Sequence, residues 1–430
     1  MKWSKYNYFF KINSTYLLYN SLSNGFAELK KNTYQYLQRL IKLNDTNISD
    51  KLLNNELITF KALVEDDKDE INLIKYKTNS MRFDKRSMAL TINPTMHCNF
   101  NCSYCFESNR SSIYMTDDVE DAIITFIKNQ KGLESLNVTW FGGEPLMDFN
   151  RIVSISKKIQ SIEINYKAGL ITNGYLLSKQ ICNQLDELNI KFVQITIDGL
   201  SQTHNLRRHL TSGEGTFDKI IENIECLKKI NSIIDLSIRV NIDDKNKDEF
   251  ILLFNFFKDK NYENVNVVPA FVDDIGNGCK SNDCLFDRKL KIEFITDLYK
   301  NYGLNFSYFY PRYDRMECSV RNANSFVIGA SGELYKCWND VGNQSKILAN
   351  LVDKKVKINH KLHLRYLAGA DPMESAECHS CFHFPTCSGG CPYLRIENEY
   401  EGKHFDTCDY IKDNMNSFLE MHYHSKNLII

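Results

Sequence analysis

The stretch Cys98-Asn-Phe-Asn-Cys102-Ser-Tyr-Cys105 spaces three cysteines as C-x3-C-x2-C. A [4Fe–4S] cluster normally takes four thiolates, so a loop with three of them leaves one iron open for another ligand. A zinc site usually has four Cys or His ligands, and the residues between these cysteines offer no fourth one. The spacing therefore favours an iron–sulfur cluster with an open iron over a structural zinc site.

Short β-branched runs alternate with longer stretches of helical periodicity on both sides of this loop. Strands that alternate with helices indicate βαβ units and a parallel sheet. The sequence therefore predicts an α/β fold with six strands, at residues 90–95, 136–141, 167–172, 192–197, 236–242 and 265–271.

Unusual residues follow the first four predicted strands. In α/β barrels the active site lies at the carboxyl ends of the strands, so we expect these residues to share one rim. Gly-Gly-Glu-Pro alone is also compatible with an ordinary turn, because Gly and Pro are common turn residues. The four motifs are the three-Cys loop, Gly142-Gly143-Glu144-Pro145, Asn173-Gly174 and Asp198-Gly199.

The three-Cys spacing, with the aromatic residues Tyr104 and Phe106 beside the last cysteine, resembles the signature of the radical S-adenosylmethionine (SAM) superfamily. The resemblance extends through the strand-end motifs and implies a partial (β/α)6 TIM-type barrel. It also implies that Cys98, Cys102 and Cys105 hold a [4Fe–4S] cluster whose open iron binds SAM. Reductive cleavage of SAM then yields a 5′-deoxyadenosyl radical, and the protein supplies position and shielding.

The same resemblance implies a set of SAM-binding residues. The Gly-Gly-Glu-Pro loop would bind the amino group, and a Thr-x-Asp strand end would meet the ribose and the methionine part. Arg208 or Arg239 would pair with the carboxylate, since Arg forms bidentate pairs; a structural salt bridge is the alternative for each. The full expected set is Tyr104, Gly142, Gly143, Glu144, Pro145, Asn173, Thr196, Asp198, Arg208 and Arg239.

Seven more cysteines lie in the C-terminal third: Cys318, Cys337, Cys378, Cys381, Cys387, Cys391 and Cys408. The Cys391-Pro392 end is similar to two-cluster ferredoxins, in which the last Cys of a local run binds the other cluster. By that logic one cluster takes Cys378, Cys381, Cys387 and Cys408, and another takes Cys318, Cys337 and Cys391. The order resembles the SPASM extension of radical SAM enzymes, so we expect three [4Fe–4S] clusters in all; a structural zinc domain is the alternative.

The Cys318, Cys337 and Cys391 set lacks an obvious fourth ligand. Either Cys279 or Cys284 completes it, or one iron stays open for a substrate thiol or carboxylate. We interpret Cys182 and Cys226 as packing residues instead, because they lie in helical patterns with apolar neighbours, where a buried free Cys is common.

The first 85 residues contain a hairpin signal, with Tyr16–Tyr19 and Phe26–Leu29 around a polar turn, followed by helical periodicity. This α+β pattern loosely resembles the peptide-recognition module of peptide-modifying radical SAM enzymes. Such a module would bind a leader peptide by β-augmentation; an inert cap over the barrel is the alternative. The expected domains are 1–85, 86–305 (radical SAM core) and 306–430 (a small Cys-rich SPASM domain).

The balance of 53 Lys+Arg against 54 Asp+Glu gives a formal charge of −1, which argues against a nucleic-acid surface. No apolar run approaches the ~18 residues that a membrane helix needs, and no export signal is evident. We therefore expect no membrane anchor and a cytoplasmic location, where thiolates bind metal rather than form disulfides.

These expectations describe a radical SAM enzyme that oxidises a ribosomally made precursor peptide, for example by crosslinking side chains. A flavodoxin or ferredoxin would supply electrons. Asp340, close behind Cys337, is a candidate base for the accompanying deprotonation, or else a solvated loop carboxylate. Two alternatives stay open: an anaerobic sulfatase maturase that forms formylglycine from Cys or Ser, and a non-catalytic iron–sulfur electron carrier.

Overall fold

The structure, a computed structural model, describes residues 1–66, 69–105, 112–272, 287–311 and 318–427. The chain divides into two compact units that are each assembled from separated segments. Unit 1 comprises Met1–Phe83, Arg288–Arg321 and Ala368–Ile430, and unit 2 comprises Asp84–Asp287 and Asn322–Leu367. Among the described helices, none has both the length and the apolar character needed to cross a membrane.

The strands are, in chain order, β1 (Lys2–Trp3), β2 (Asn7–Ile12), β3 (Thr15–Asn20), β4 (Gly25–Leu29), β5 (Leu63–Val64), β6 (Ser87–Ile92), β7 (Ser135–Trp140), β8 (Asn165–Thr172), β9 (Ile190–Thr196), β10 (Asp235–Ile242), β11 (Val265–Phe271), β12 (Ser325–Ile328), β13 (Glu333–Tyr335) and β14 (Ala349–Asn350).

The α-helices are α1 (Lys31–Leu43), α2 (Lys51–Thr59), α3 (Glu70–Arg82), α4 (Asp117–Lys128), α5 (Phe149–Gln160), α6 (Lys179–Cys182), α7 (Ser201–Arg207), α8 (Phe217–Ile230), α9 (Phe250–Asp259), α10 (Arg288–Tyr302), α11 (His360–Ala368), α12 (Ala376–Ser380), α13 (Phe384–Cys387), α14 (Pro392–Glu401) and α15 (Met415–Asn427).

Unit 2 is built on a nine-stranded sheet with the order β11-β10-β9-β8-β7-β6-β12-β13-β14. Strands β6 to β11 are parallel to their neighbours, which confirms the predicted α/β fold and its parallel sheet. Strand β6 ends earlier than the predicted run 90–95, because Pro94 has no N–H to donate to the ladder.

The helices of unit 2 bury one apolar face each. Helix α5 buries Ile152, Ile155 and Ile159, which lie at helical spacing on one side. Its first turn is capped by the Asp148 side chain, which accepts from Arg151 N at 3.3 Å, as N-cap residues do. This packing leaves the carboxyl ends of the strands and their loops to form the site.

Three short strands from the C-terminal half extend the sheet of unit 2. Strand β12 runs parallel to β6, pairing Ile328 with Ile92, and β13 and β14 follow antiparallel. The sequence analysis did not predict these strands. They matter for function because β13 ends immediately before the segment that contains Cys337 and Trp338.

Unit 1 contains an antiparallel sheet of order β2-β3-β4. The β3–β4 pairing confirms the predicted hairpin. Leu18 of the sheet packs with Leu37 and Leu40 of α1. A second cluster joins Tyr6 and Ile74 to Phe384 of the Cys-rich segment, with Cys378 and Cys381 packed against it.

Candidate active site

A cavity of about 380 Å³ lies at the carboxyl ends of the parallel strands. Most of the residues predicted to bind SAM and its cluster line it, although they come from six different loops and element ends. Pro145, Asp198 and Asp340 do not belong to its lining. The predicted residues that do are Cys98, Cys102, Tyr104, Cys105, Gly142, Gly143, Glu144, Asn173, Thr196, Arg208 and Arg239.

The three-Cys loop is held at the cavity by main-chain hydrogen bonds. Asn101 N donates to His209 O at 2.9 Å, and the Asn173 side chain donates to Asn99 Oδ1 at 2.8 Å. Phe100 is fully buried beneath the loop. The three cysteines form no disulfide and are half-buried, so their sulfur atoms can serve as ligands at the cavity wall.

The Gly-Gly-Glu loop packs against the residues that lead into the three-Cys loop. A Cβ on Gly143 would lie 2.4 Å from both Met96 O and His97 O, and one on Gly142 would lie 2.5 Å from Thr95 O. Gly142 also has a φ of +114°, which disfavours L-residues. Both positions therefore require glycine, and the loop presents its backbone to the cavity.

Glu144 is fully buried, and its carboxylate is engaged by the protein itself. Oε1 accepts from Thr172 Oγ1 at 2.6 Å and from Leu146 N at 3.0 Å. Oε2 accepts from Asn173 N at 2.7 Å. Burial raises the pKa of Glu144, opposed by these hydrogen bonds. Glu144 thus ties the loop after β7 to the end of β8.

Tyr104 reaches from the three-Cys loop into a buried network at the ends of β9 and β10. Its hydroxyl donates to Asp198 Oδ2 and accepts from Arg208 Nη1 at 2.7 Å and from Asn241 Nδ2 at 3.1 Å. Burial raises the pKa of Tyr104, so the phenol keeps its proton at physiological pH.

Asp198 belongs to the same network. Its Oδ1 accepts from Asn241 N at 3.1 Å, and its Oδ2 lies 3.3 Å from Arg207 Nε. Arg207 pairs in turn with Asp243 at 2.7 Å. Asp198 is fully buried and does not line the cavity, whereas Thr196, two residues earlier, does.

The two candidate arginines differ in their partners. Arg208 is buried, and its guanidinium lies 5.7 Å from the centre of the Phe100 ring. In the part of the chain that the structure describes, no carboxylate forms an ion pair with Arg208, and its Nε has no hydrogen-bond partner. Arg239 Nε instead donates to Asn241 Oδ1 at 2.9 Å. Burial acts to lower the pKa of Arg208, but the nearby Cys102, Tyr104 and Asp198 raise it well above its usual value, so Arg208 keeps its positive charge at the cavity wall.

His204 is connected to the Arg208 backbone through Thr216. His204 Nδ1 accepts from Asp198 N at 3.2 Å, and Nε2 contacts Thr216 Oγ1 at 3.0 Å. Thr216 Oγ1 donates to Arg208 O at 2.6 Å. Burial, followed by the nearby Arg208, lowers the pKa of His204 well below its usual value. His204 is therefore a neutral structural residue.

An aromatic wall that the sequence analysis missed completes the cavity. Phe141, Phe271 and Trp338 line it, and the Phe141 and Trp338 rings meet edge-on at 5.3 Å between centres. Phe141 and Phe271 lie at the carboxyl ends of β7 and β11, and this position at strand ends is the sequence signal that could have identified them.

Asp340, the predicted base, is buried, and its Oδ2 accepts from Tyr366 Oη at 2.6 Å.

Cys387, a predicted metal ligand in unit 1, is followed by an unusual backbone segment. Ser388, Gly389 and Gly390 after it are all left-handed, with φ of 54°, 80° and 76°. Burial raises the pKa of Cys387 to about 11, and the nearby backbone N–H groups of Gly389, Gly390 and Asp409 act against that rise. Metal binding requires the thiolate, and these N–H groups stabilise it.

The other cysteines of the C-terminal third also form no disulfide. Cys318 and Cys408 are exposed and Cys337 is buried, while Cys378, Cys381 and Cys391 are half-buried. The ligand atoms of His383, Cys387 and Asp409 all lie within 4.8 Å of one another. The predicted division of these cysteines between two clusters stays a prediction.

Cysteines outside these sets have different surroundings. Cys182 is buried, and burial raises its pKa to about 12, in keeping with a packing role. Cys279 and Cys284, the two candidates for a fourth ligand, lie outside the described residues, as does Phe106.

A profile described as the radical SAM superfamily matches residues 92–257. The chain is 23% identical to the radical SAM cyclopropyl synthase TigE of Paramaledivibacter caminithermalis, over 92% of this chain and 90% of that protein. It is 24% identical to a cysteine-type anaerobic sulfatase-maturating enzyme of Clostridium novyi, over 71% and 88%. The fold is similar to Streptococcus suis SuiB bound to precursor peptide SuiA, with a TM-score of 0.55, 17% identity and 95% and 99% of the two chains covered.

Proposed function

Because residues 92–257 of this chain form a radical SAM domain and the chain is a radical SAM enzyme, we propose that it oxidatively modifies a ribosomally made precursor peptide. The observation that carries the proposal is a single cavity lined by three cysteines that form no disulfide, by the Gly142–Gly143 backbone and by the buried Arg208 side chain. When bound, a [4Fe–4S] cluster and SAM supply a 5′-deoxyadenosyl radical, which takes hydrogen from unactivated carbon.

The residues of the cavity fit these two groups. Cys98, Cys102 and Cys105 hold the cluster, and the open backbone at Gly142 and Gly143 receives the ammonium group of SAM. No side chain larger than Gly is tolerated there, so the ligand can approach closely. A cationic amino group is stabilised by backbone carbonyls, which are strong acceptors.

Arg208 binds the carboxylate of SAM in this proposal. Arg208 lines the cavity and is buried, whereas Arg239 is half-buried, and a bidentate Arg–carboxylate pair is strong. Arg239 and Thr196 line the same cavity and bind the polar remainder of SAM. Asp198 is proposed to act on SAM only through the residues that it positions.

The aromatic wall faces the place where a substrate side chain must reach the radical. Phe141, Phe271 and Trp338 give this side of the cavity an apolar surface, and in this proposal a bound substrate packed against it protects a reactive intermediate from side reactions. Asp340 stays a proposed base; its hydrogen bond to Tyr366 would have to open for it to accept a substrate proton.

Two auxiliary [4Fe–4S] clusters are part of the proposal, to remove the second electron or to hold the substrate. One uses Cys378, Cys381, Cys387 and Cys408, and the backbone donors around Cys387 support it. The other uses Cys318, Cys337 and Cys391. A flavodoxin or ferredoxin is the proposed electron donor.

A peptide substrate is favoured by the large share of this chain that TigE and SuiB cover. TigE matches 92% of this chain and SuiB covers 95%, so the likeness to both extends well beyond residues 92–257. Strand β4 lies at the edge of the N-terminal sheet, where a leader peptide can add a strand. We propose crosslinking of side chains as the reaction, since it is a net two-electron oxidation.

The sulfatase-maturase function stays the second candidate because the Clostridium novyi enzyme covers 71% of this chain. In that case the product would be formylglycine on a Cys or Ser. An electron carrier is the weakest candidate, because it would need neither an open iron nor the Arg208 cation.

The experiment is anaerobic reconstitution followed by reduction with dithionite in the presence of SAM. We expect 5′-deoxyadenosine from the wild type and none from the variant with Ala at Cys98, Cys102 and Cys105. Co-expression with a precursor peptide encoded nearby should lower the peptide mass by two hydrogen atoms without forming an aldehyde. An aldehyde on a sulfatase peptide would select the maturase, and absence of 5′-deoxyadenosine would overturn the enzyme proposal.

A further inference from the structure

We propose that the Tyr104 hydroxyl is a positioning group that holds the Arg208 guanidinium for the SAM carboxylate without neutralising its charge. The proposal depends on SAM binding in this cavity and not on the identity of the peptide. Tyr104 belongs to the three-Cys loop, so the same side chain couples the cluster loop to Arg208.

The hydrogen-bonding capacity of this hydroxyl is completely used. A phenol offers one donor and two acceptor positions. Here it donates to Asp198 Oδ2 and accepts from Arg208 Nη1 at 2.7 Å and from Asn241 Nδ2 at 3.1 Å. The partners come from three different elements, so the position of the oxygen atom is overdetermined.

The direction of each hydrogen bond follows from charge. Asp198 is a buried carboxylate paired with Arg207, and it accepts the phenol hydrogen. The lone pairs of the Tyr104 oxygen then face Arg208, which can only donate.

The phenol acts as a neutral spacer between an anion and a cation. If Asp198 paired directly with Arg208, it would compete with the SAM carboxylate for the guanidinium. Instead Asp198 is paired with Arg207, and the Arg208 guanidinium directly contacts the neutral phenol and the Phe100 ring. The phenol thereby fixes Arg208 in place without adding an opposing charge of its own.

The test compares ligands that share the adenosine part and differ in the carboxylate. S-Adenosylhomocysteine keeps the amino acid end of SAM, and 5′-methylthioadenosine lacks it. In anaerobically reconstituted full-length enzyme, Tyr104→Phe should weaken S-adenosylhomocysteine about tenfold in calorimetric titration, the range expected for a lost hydrogen bond to a charged group. Binding of 5′-methylthioadenosine should stay unchanged.

The matched control is Tyr114→Phe. Tyr114 also follows the three-Cys loop, and its hydroxyl contacts His97 Nδ1 at 2.9 Å, but it does not line the cavity. We expect wild-type affinity for both ligands. In the Arg208→Gln background, Tyr104→Phe should cause no further loss, because the positioned group is gone.

Iron content and the electron paramagnetic resonance spectrum of the reduced cluster show whether Tyr104→Phe keeps its cluster loop. If that variant loses iron, Arg208→Lys tests the same inference, since it keeps the charge but not the planar fork; it should weaken S-adenosylhomocysteine alone. Equal weakening of both ligands would show a merely structural role and overturn the proposal. Unchanged binding of S-adenosylhomocysteine would overturn it as well.

Discussion

Replacement of Gly390 by Ala should displace the segment that carries Cys408. Gly390 has a φ of +76°, and a Cβ there would lie 1.9 Å from Thr407 O. Real Cβ contacts essentially never fall below 3.0 Å, so the Thr407 carbonyl must retreat by about 1.1 Å. This movement should also displace Cys408 and the Asp409 N–H, which helps to stabilise the Cys387 thiolate.

Gly402 provides the matched control. Its φ of +64° is similar, but a Cβ there meets nothing within 4 Å. Both substitutions incur the cost of a left-handed L-residue, about 1–2 kcal/mol. Only Gly390→Ala adds the cost of overpacking, about 1–3 kcal/mol. Since 1 kcal/mol corresponds to about 2–4 °C for a unit of this size, we expect Gly390→Ala to melt about 2–12 °C below Gly402→Ala.

The assay combines thermal unfolding with iron and sulfide analysis of reconstituted protein. Gly390→Ala should also hold about four irons fewer per chain than Gly402→Ala, the content of one cubane. Equal melting temperatures for the two variants would refute the packing argument. A lower melting temperature with unchanged iron would keep the packing argument and refute the assignment of Cys387 and Cys408 to one cluster.

Three more predictions concern the cavity. Gly143→Ala should abolish measurable S-adenosylhomocysteine binding, because its Cβ would lie 2.4 Å from two backbone carbonyls, whereas Gly213→Ala, with a φ of +91° and open space, should bind normally; normal binding by both would contradict the close approach. The pKa of His204 is lower in the folded state than in the unfolded state. As pH falls below about 6.5, the unfolded state therefore binds a proton on His204 that the folded state does not bind. The free energy of unfolding should decrease there by up to about 1.4 kcal/mol per pH unit. Urea titrations of His204→Gln should lack this component, and an unchanged slope would argue against a buried neutral imidazole. Glu144→Gln should lower the free energy of unfolding by about 1–3 kcal/mol, because the NH2 group of Gln would face one of the three buried donors from which the carboxylate accepts, and that donor would lose its acceptor. A thermal melt identical to wild type would count against that network.

The local features of the site were predictable. Cysteine spacing, glycine-rich turns and alternating β-branched runs are properties of neighbouring residues, so the three-Cys loop, the Gly142–Gly143 turn and the parallel strands could be derived from them. The carboxyl ends of parallel strands share one edge, so the convergence of these motifs could be derived too, and the cavity confirms it.

The roles within the cavity were not predictable in the same way. Arg208 and Arg239 both occur near strand ends, and only the folded chain shows that Arg208 is buried and held by the Tyr104 hydroxyl, while Arg239 donates to Asn241. The sequence pattern alone also did not show that Glu144 is held by three donors from the protein.

Amino-acid order alone thus determined the chemistry that this protein can perform, because metal ligands, backbone turns and strand periodicity are encoded over a few residues. Tertiary structure alone decided how deeply each of the two cavity arginines is buried and which aromatic side chains line the cavity. Strand β12 pairs with β6 across more than 230 positions of sequence, and so brings Trp338 to Phe141. Contacts of that separation depend on packing of the whole sheet, which no local pattern contains.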